Sequence, residues 1–205
     1  MSISTYTELQ TAIANYLGRS DLADRIKEFI TAAEIRLQDD VKVRAMEDRA
    51  FSESITSSTT SVSLPADFLE FKGHLWLMDS TNYRTKMTSM DEDEAIGRYP
   101  DTDTTGIPRV YYLSGDTLIL LPYSNDSFTL TGTYYKRLIL SVTNTTTWFL
   151  TNYPMALVYG ALIEAAIYTE DDGRMYQLAY DNEVDKTIQI RIPYYFFYVM
   201  DYIFY

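Results

Sequence analysis

The 205-residue sequence contains no cysteine and a single histidine, His74. Without cysteine the chain has no disulfide, no thiolate metal site and no thiol nucleophile. A Ser-His-Asp triad would have to use His74, yet no GxSxG elbow occurs in the sequence. Because His74 stands beside apolar neighbours in "FKGHLWL", we interpret it as a structural or surface residue. We therefore predict that the protein is not an enzyme.

Long apolar runs are also missing. Nowhere do 18 uncharged apolar residues follow one another, as a membrane-spanning helix requires. The N-terminal "MSISTYTELQ" has neither the basic start nor the apolar core of a signal peptide. We expect synthesis in the cytoplasm and no membrane partner.

Basic residues are scarce, with 17 Lys and Arg against 29 Asp and Glu, for a net charge of −12. Such a surface repels a phosphate backbone and cannot bind it through counterion release. The charge is compatible with a wall past which DNA slides without lasting contacts.

Carboxylates that would suit a hard cation occur in two places, the acidic run of residues 91–94 and the loop "PDTDTTG" at residues 100–106. Neither has EF-hand spacing, so we interpret them as a solvated helix start and a turn. No phosphate-binding glycine loop is present. We predict no metal site and no cofactor.

The first 40 residues have the periodicity of two helices. Thr5 and Glu8 form a capping box before the first helix, and Gly18 is placed to end it. Apolar residues then continue at helical spacing from Leu22 to Leu37. This pattern predicts an αα-hairpin.

The middle of the chain has the composition of β-structure. Between Arg49 and Trp148, Thr, Ser, Tyr and Val are dense, and short segments alternate apolar with polar residues. "RVYYLSGDTLILL" predicts a hairpin that turns at Ser114 to Asp116. "SMDEDEAIGRY" resembles a helix start, with Ser89 as the candidate cap.

Helical periodicity returns after Asn152, which we predict to cap a nearly all-apolar, buried helix with Pro154 in its first turn. A further helix before Pro193 is predicted to turn four residues toward a core: Met175, Leu178, Ala179 and Val184. The predicted class is α+β, a four-helix unit with a β-rich, sandwich-like insertion. The predicted domains are helical (1–48 and 150–191), β-rich (49–149) and a C-terminal arm (192–205).

The arm, "IPYYFFYVMDYIFY", is apolar on both faces when extended, apart from Asp201. Its eight aromatic residues can each bury about 150 to 250 Å², and a soluble monomer seldom exposes so large an apolar patch. The covers in competition are a membrane, the chain's own β insertion, and a neighbouring subunit or other protein. The short length and Asp201 argue against a membrane. We predict that protein contacts involve these residues: Tyr194, Tyr195, Phe196, Phe197, Tyr198, Tyr202, Phe204 and Tyr205.

Four stretches in order carry a family resemblance: "TYTELQTAIANYLGRSDLADRIKEFITAAEIRLQDDVKVRAMED", which contains the helix "FITAAEIRLQDD", then "LPADFLEF", "GIPRVYYLSGDTLILLPYSNDSFTLTGTYYKR" and "NYPMALVYGALIEAAIYTEDDGRMYQLAYDNEVDKTI". Together they resemble the head-to-tail adaptor (connector) proteins of short-tailed bacteriophages. The segment after Ile190 has no counterpart in this resemblance.

The resemblance implies a structural virion protein with no catalytic residues. It implies a ring, commonly of twelve copies, between the portal protein and the tail nozzle or tail fibre proteins, with DNA only passing through the channel. The alternative function is a carbohydrate-binding β-sandwich or virion accessory protein, suggested by the Thr- and Tyr-rich middle with Trp76 and Trp148. An enzyme would require His74 to lie in a cleft with carboxylates.

Overall fold

A computed structural model describes residues 3–57, 59–101 and 103–189. The chain divides into two compact units, a helical unit within Met1–Val43 and Leu138–Tyr205 and a β unit of Arg44–Arg137. Helices and sheets are both present, which confirms the α+β class.

The described residues contain helices and strands in the following order. The α-helices are α1 (Tyr6–Leu17), α2 (Ile26–Asp40), α3 (Glu92–Arg98), α4 (Trp148–Asn152), α5 (Pro154–Thr169) and α6 (Arg174–Gln189). Short 3-10 turns cover Ser20–Leu22 and Arg44–Met46. The strands are β1 (Glu47–Ile55), β2 (Ser61–Ser63), β3 (Phe68–Phe71), β4 (Trp76–Met78), β5 (Arg84–Lys86), β6 (Thr88–Ser89), β7 (Thr105–Gly106), β8 (Val110–Ser114), β9 (Thr117–Leu121), β10 (Tyr123–Ser124) and β11 (Phe128–Lys136).

The first helix begins and ends as its sequence predicts. The Thr5 hydroxyl accepts a hydrogen bond from the Glu8 amide, and the Glu8 carboxylate accepts one from the Thr5 amide at 3.0 Å. Gly18 ends α1 in the left-handed region, at φ 60°. This conformation strains residues that carry a Cβ, so glycine suits the position.

Helix α5 is the centre of the helical unit. Pro154 is its first residue, as predicted, where a missing N–H costs no hydrogen bond. Its N-cap is Tyr153, so the prediction of Asn152 as cap is wrong, because residues 148–152 form the separate short helix α4. A Cβ built on Gly160 would lie 2.9 Å from the Ala33 Cβ of α2. The glycine therefore permits close approach of the two helices.

Helix α6 corrects the predicted core face. Met175 is 74% exposed and Leu178 is 58% exposed, so neither packs toward a core. Tyr180 and Thr187 are buried instead, seven residues apart on the opposite face of the helix. The reason is that the Tyr180 ring supplies the buried apolar surface of α6, whereas the predicted stripe reflects side-chain hydropathy alone. Ala179 and Val184 are half-buried.

The β unit contains two sheets that share one core. The first has the order β1-β11-β4-β5, with β3 also paired to β11, and the second has the order β2-β9-β8-β6. A separate parallel pair joins β7 and β10. Buried side chains from both larger sheets form one cluster: Phe51, Ile55, Val62, Leu75, Leu77, Met87, Tyr111, Leu118, Leu120, Leu130 and Tyr134.

Two turn predictions in the β unit have different outcomes. Strands β8 and β9 form the predicted hairpin, with Gly115 at φ 58° in its turn. The cap predicted at Ser89 is wrong, because Ser89 pairs with Tyr111 in the parallel β6–β8 ladder and Asp91 occupies the N-cap position of α3, without a capping hydrogen bond from its side chain. Pairing between strands thus overrides a local capping signal.

Candidate interaction surfaces and the polar clasp of helix α2

Polar side chains of α2 bind three other segments of the helical unit. They lie in the "FITAAEIRLQDD" stretch, four of them at alternate positions: Glu34, Arg36, Gln38 and Asp40. Residues four apart on a helix share a face, so Glu34 and Gln38 reach one segment while Arg36 and Asp40 reach others. We call this set of four residues the α2 clasp.

Glu34 is the most perturbed carboxyl group of the clasp. Its side chain is 3% exposed, and both carboxylate oxygens lie 3.1 Å from the Leu140 amide, which donates to them. No cation pairs with it among residues 3–57, 59–101 and 103–189. Burial raises the pKa of Glu34 to about 7, and the Leu140 N–H opposes that rise only in part.

Gln38 binds the same segment through a paired amide contact. Its Nε2 donates to the Leu138 carbonyl at 2.9 Å, and its Oε1 accepts from the Leu138 amide at 2.6 Å. The side chain thus satisfies both backbone groups of one residue, as a neighbouring strand would. Together Glu34 and Gln38 hold residues 138–140, where the chain re-enters the helical unit.

Arg36 and Asp40 connect α2 to α5 and α6. The Arg36 guanidinium forms an ion pair with Glu164 of α5, and both side chains are less than one-third exposed. The Tyr180 hydroxyl of α6 donates to Asp40 at 3.0 Å. Burial, followed by the Asp40 charge, raises the pKa of Tyr180, so the phenol stays protonated and donates. The clasp therefore joins four segments of the helical unit: α2, residues 138–140, α5 and α6.

The eight aromatic arm residues of the prediction, between Tyr194 and Tyr205, lie outside the described residues. Their role in protein contacts stays a prediction.

The structure does not bring the histidine and the acidic residues considered above together into one site in the described ranges. His74 is exposed on the β unit, as its surface interpretation predicts. Asp101 accepts from the Asp103 amide at 2.9 Å and from the Thr104 hydroxyl at 3.0 Å, which is turn geometry. No group of three or more His, Cys, Asp or Glu able to hold a metal occurs within the described ranges.

The two tryptophans belong to different units. Trp148, in the helical unit, is half-buried, and its ring lies 5.4 Å from Phe149 and 5.6 Å from Tyr153. Trp76, in the β unit, is 39% exposed on the first sheet. Trp148 is thus engaged in aromatic packing, while Trp76 is available to a partner.

Two exposed apolar surfaces were not predicted. One is on α6, at Met175 and Leu178, and the other is on the β4–β5 hairpin, at Trp76 and the adjoining loop residue Tyr83, which is 70% exposed. Sequence alternation marks Trp76 as opposite in face to Leu77, and this signal could have found it. For α6 only the buried position of Tyr180 decides which face is left open.

In the part of the chain that the structure describes, no helix is both long and apolar enough to cross a membrane.

Comparison with known proteins gives one result for the family and one for individual proteins. No curated protein matches the sequence significantly. The family model described as SU10 adaptor protein matches residues 4–194, which includes the α2 clasp, the β unit and α6. The resemblance to bacteriophage adaptors is thereby confirmed over nearly the whole chain, and with it a structural role in the virion. The chain belongs to the SU10 adaptor protein family.

Proposed function

We propose that the protein forms a ring, of about twelve copies as the resemblance implies, between the portal and the tail nozzle of the virion. The observation that carries this proposal is the family match over residues 4–194. The ring's channel would pass the genome without lasting contacts, since the net charge of −12 repels phosphate. The role requires no catalytic residue, and none is proposed.

Each part of the chain has a place in this proposal. The long helices α1, α2, α5 and α6 form the body, the β-rich segment is an insertion into it, and the C-terminal residues 192–205 are an arm. The two compact units support this organisation, because their limits fall at 43/44 and 137/138. The α2 clasp then stiffens the body next to one of the two connections.

The mass of the assembly tests the ring directly. We expect mass photometry and negative-stain images to show a closed oligomer, either for the purified protein alone or after addition of purified portal rings. A protein that stays monomeric in both conditions would contradict the ring.

The arm is proposed to dock on a neighbouring copy or on the portal. Truncation of the chain after Ile192 separates this from packing within the chain. We expect the truncated monomer to keep the far-ultraviolet circular dichroism and cooperative unfolding of the full chain, while particles fail to assemble. Loss of the fold in the truncated monomer would assign the arm to its own core.

Substitution of exposed acidic residues on helix α2 tests whether the channel of the proposed ring is acidic. Glu28 and Asp39 are exposed there, and reversal of both to Lys should slow genome exit or retain DNA in purified particles. The effect should weaken with added salt, because counterion release drives it. Unchanged ejection would contradict the placement of α2 along the channel.

A further inference from the structure

The β4–β5 hairpin has an outward face that combines apolar and basic side chains. Trp76 pairs with Lys86 across the two strands, and Met78 pairs with Arg84. Directly paired residues of an antiparallel ladder project from the same face, and Leu77 between them is buried on the other. We call Trp76, Met78, Arg84 and Lys86 the hairpin face.

The cations of the hairpin face have no counter-charge within the described chain. Neither Arg84 nor Lys86 forms an ion pair there, and both are exposed. Strand β5 is an edge of its sheet in the described residues, and cations at an edge discourage edge-to-edge pairing. That role needs the two cations but not an exposed tryptophan beside them. Trp, Met and Arg together are the composition of an interface centre.

Helix α6 has the opposite combination on its exposed side. Met175, Leu178, Asp181 and Asp185 lie within about one-third of the helix circumference, at 100° per residue, and opposite the buried Tyr180. Asp181 accepts from Gln177 Nε2 at 2.8 Å, and neither aspartate has a cation partner in the described part of the chain. We call these four residues the helix stripe.

The position of Asp185 within the helix argues against a purely local role for this residue. The negative end of a helix dipole lies at the C-terminus, so Asp185 gains nothing from the dipole of α6. By contrast, the acidic residues of α3 stand in its first turn, where the dipole stabilises them. The helix stripe therefore includes an acid, Asp185, that its own helix does not favour, beside apolar side chains that the described residues of the helical unit leave exposed.

We propose that the hairpin face of one copy docks on the helix stripe of a second copy. The apolar pair Trp76 and Met78 would cover Met175 and Leu178, while Arg84 and Lys86 would face Asp181 and Asp185. The two surfaces differ, so the contact is heterologous, and repetition of it gives a closed ring, as the proposed function requires, when the rotation between neighbouring copies is a whole fraction of a turn. The inference rests on the proposed ring and identifies the surfaces that build it.

The absence of cysteine makes a direct test possible. The variants Lys86→Cys and Asp185→Cys are each the sole thiol of their chain, and a short bifunctional thiol reagent joins them only where the two surfaces meet. We expect covalent dimers when the two variants are mixed under conditions that give oligomers, and no dimers from either variant alone. Lys27→Cys, exposed on α2, replaces Lys86→Cys in the control mixture and should give none.

The outcomes separate this pairing from the ring itself. Oligomers without the mixed cross-link would overturn the pairing and leave the ring intact. No oligomers, alone or with portal rings, would overturn both.

Charge reversal gives a second, independent measurement. Lys86→Glu should weaken self-association by about tenfold or more, because like charges would then face each other. Combination with Asp185→Lys in the same chain should restore most of the loss, whereas Lys27→Glu, with the same change in net charge, should have little effect. A Lys86→Glu variant that assembles like the wild type would overturn the electrostatic part of the pairing.

Discussion

The Glu34→Gln variant should change the pH dependence of stability in a defined direction. Glu34 is buried, and among the described residues one N–H group, that of Leu140, donates to its carboxylate, so burial raises its folded-state pKa from its ordinary 4.5 to about 7. At about 1.4 kcal/mol for each tenfold change in the protonation equilibrium, this rise in pKa corresponds to a contribution of about 3 kcal/mol to the free energy of unfolding. Because the pKa is raised on folding, the contribution is fully present below pH 4.5 and is lost as the pH rises through about 7.

Glutamine stays neutral at every pH and keeps an oxygen that can accept from the Leu140 amide. We expect the variant to exceed the wild type in free energy of unfolding by less than about 1 kcal/mol at pH 5 and by about 3 kcal/mol at pH 8. Urea unfolding followed by circular dichroism at pH 5, 6, 7 and 8 measures this difference. Exposed Glu28 on the same helix supplies the control, since Glu28→Gln should differ from the wild type by no more than about 0.5 kcal/mol throughout. Parallel stability curves for wild type and Glu34→Gln would refute the reasoning.

Three further substitutions test packing, a hydrogen bond and a cap, each by urea unfolding. Gly160→Ala should destabilise the protein by about 1 to 3 kcal/mol, because the new Cβ would lie 2.9 Å from that of Ala33. Gly97→Ala is the control, because a Cβ at Gly97 meets nothing within 4 Å. This variant should be neutral or stabilise α3 by up to about 1 kcal/mol. A destabilised Gly97→Ala or a neutral Gly160→Ala would contradict the proposed close approach. Tyr180→Phe should lower the free energy of unfolding by about 1 kcal/mol through loss of the hydrogen bond to Asp40. A double-mutant cycle with Asp40→Asn should show coupling between the two residues. Independent effects would mean that this hydrogen bond does not stabilise the fold. Thr5→Ala should cost about 1 kcal/mol and Thr5→Ser much less, since serine keeps the capping oxygen; equal losses would exclude the cap.

The α2 clasp shows how far the sequence alone reaches. Its stretch carries the family resemblance, and the helical spacing of Phe29, Ile30 and Leu37 predicts their burial, which the structure shows. The sequence does not reveal that Glu34 is buried with them. A glutamate at helical spacing is usually exposed, whereas this carboxylate is buried and meets the Leu140 amide, 106 residues further along the chain.

Helix α6 and the β4–β5 hairpin show that the sequence alone also does not reveal which apolar residues stay exposed. Met175 and Leu178 have the hydropathy of core residues, yet the ring of Tyr180 occupies the packed face. The hairpin face becomes visible only when β4 and β5 pair in register and set Trp76 beside Lys86. Both surfaces depend on contacts between segments far apart in the chain.

By itself, the sequence determined the capping box of α1, the start of α5 at Pro154, the β8–β9 turn, the α+β class and the family resemblance. These features depend on hydrogen bonds and side-chain periods that span only a few residues, or on motifs read in order. The tertiary structure alone decided the raised pKa of Glu34, the open face of α6 and the placement of Trp76. Burial and charge at those positions are set by whichever distant segment covers them, and local sequence does not encode that partner.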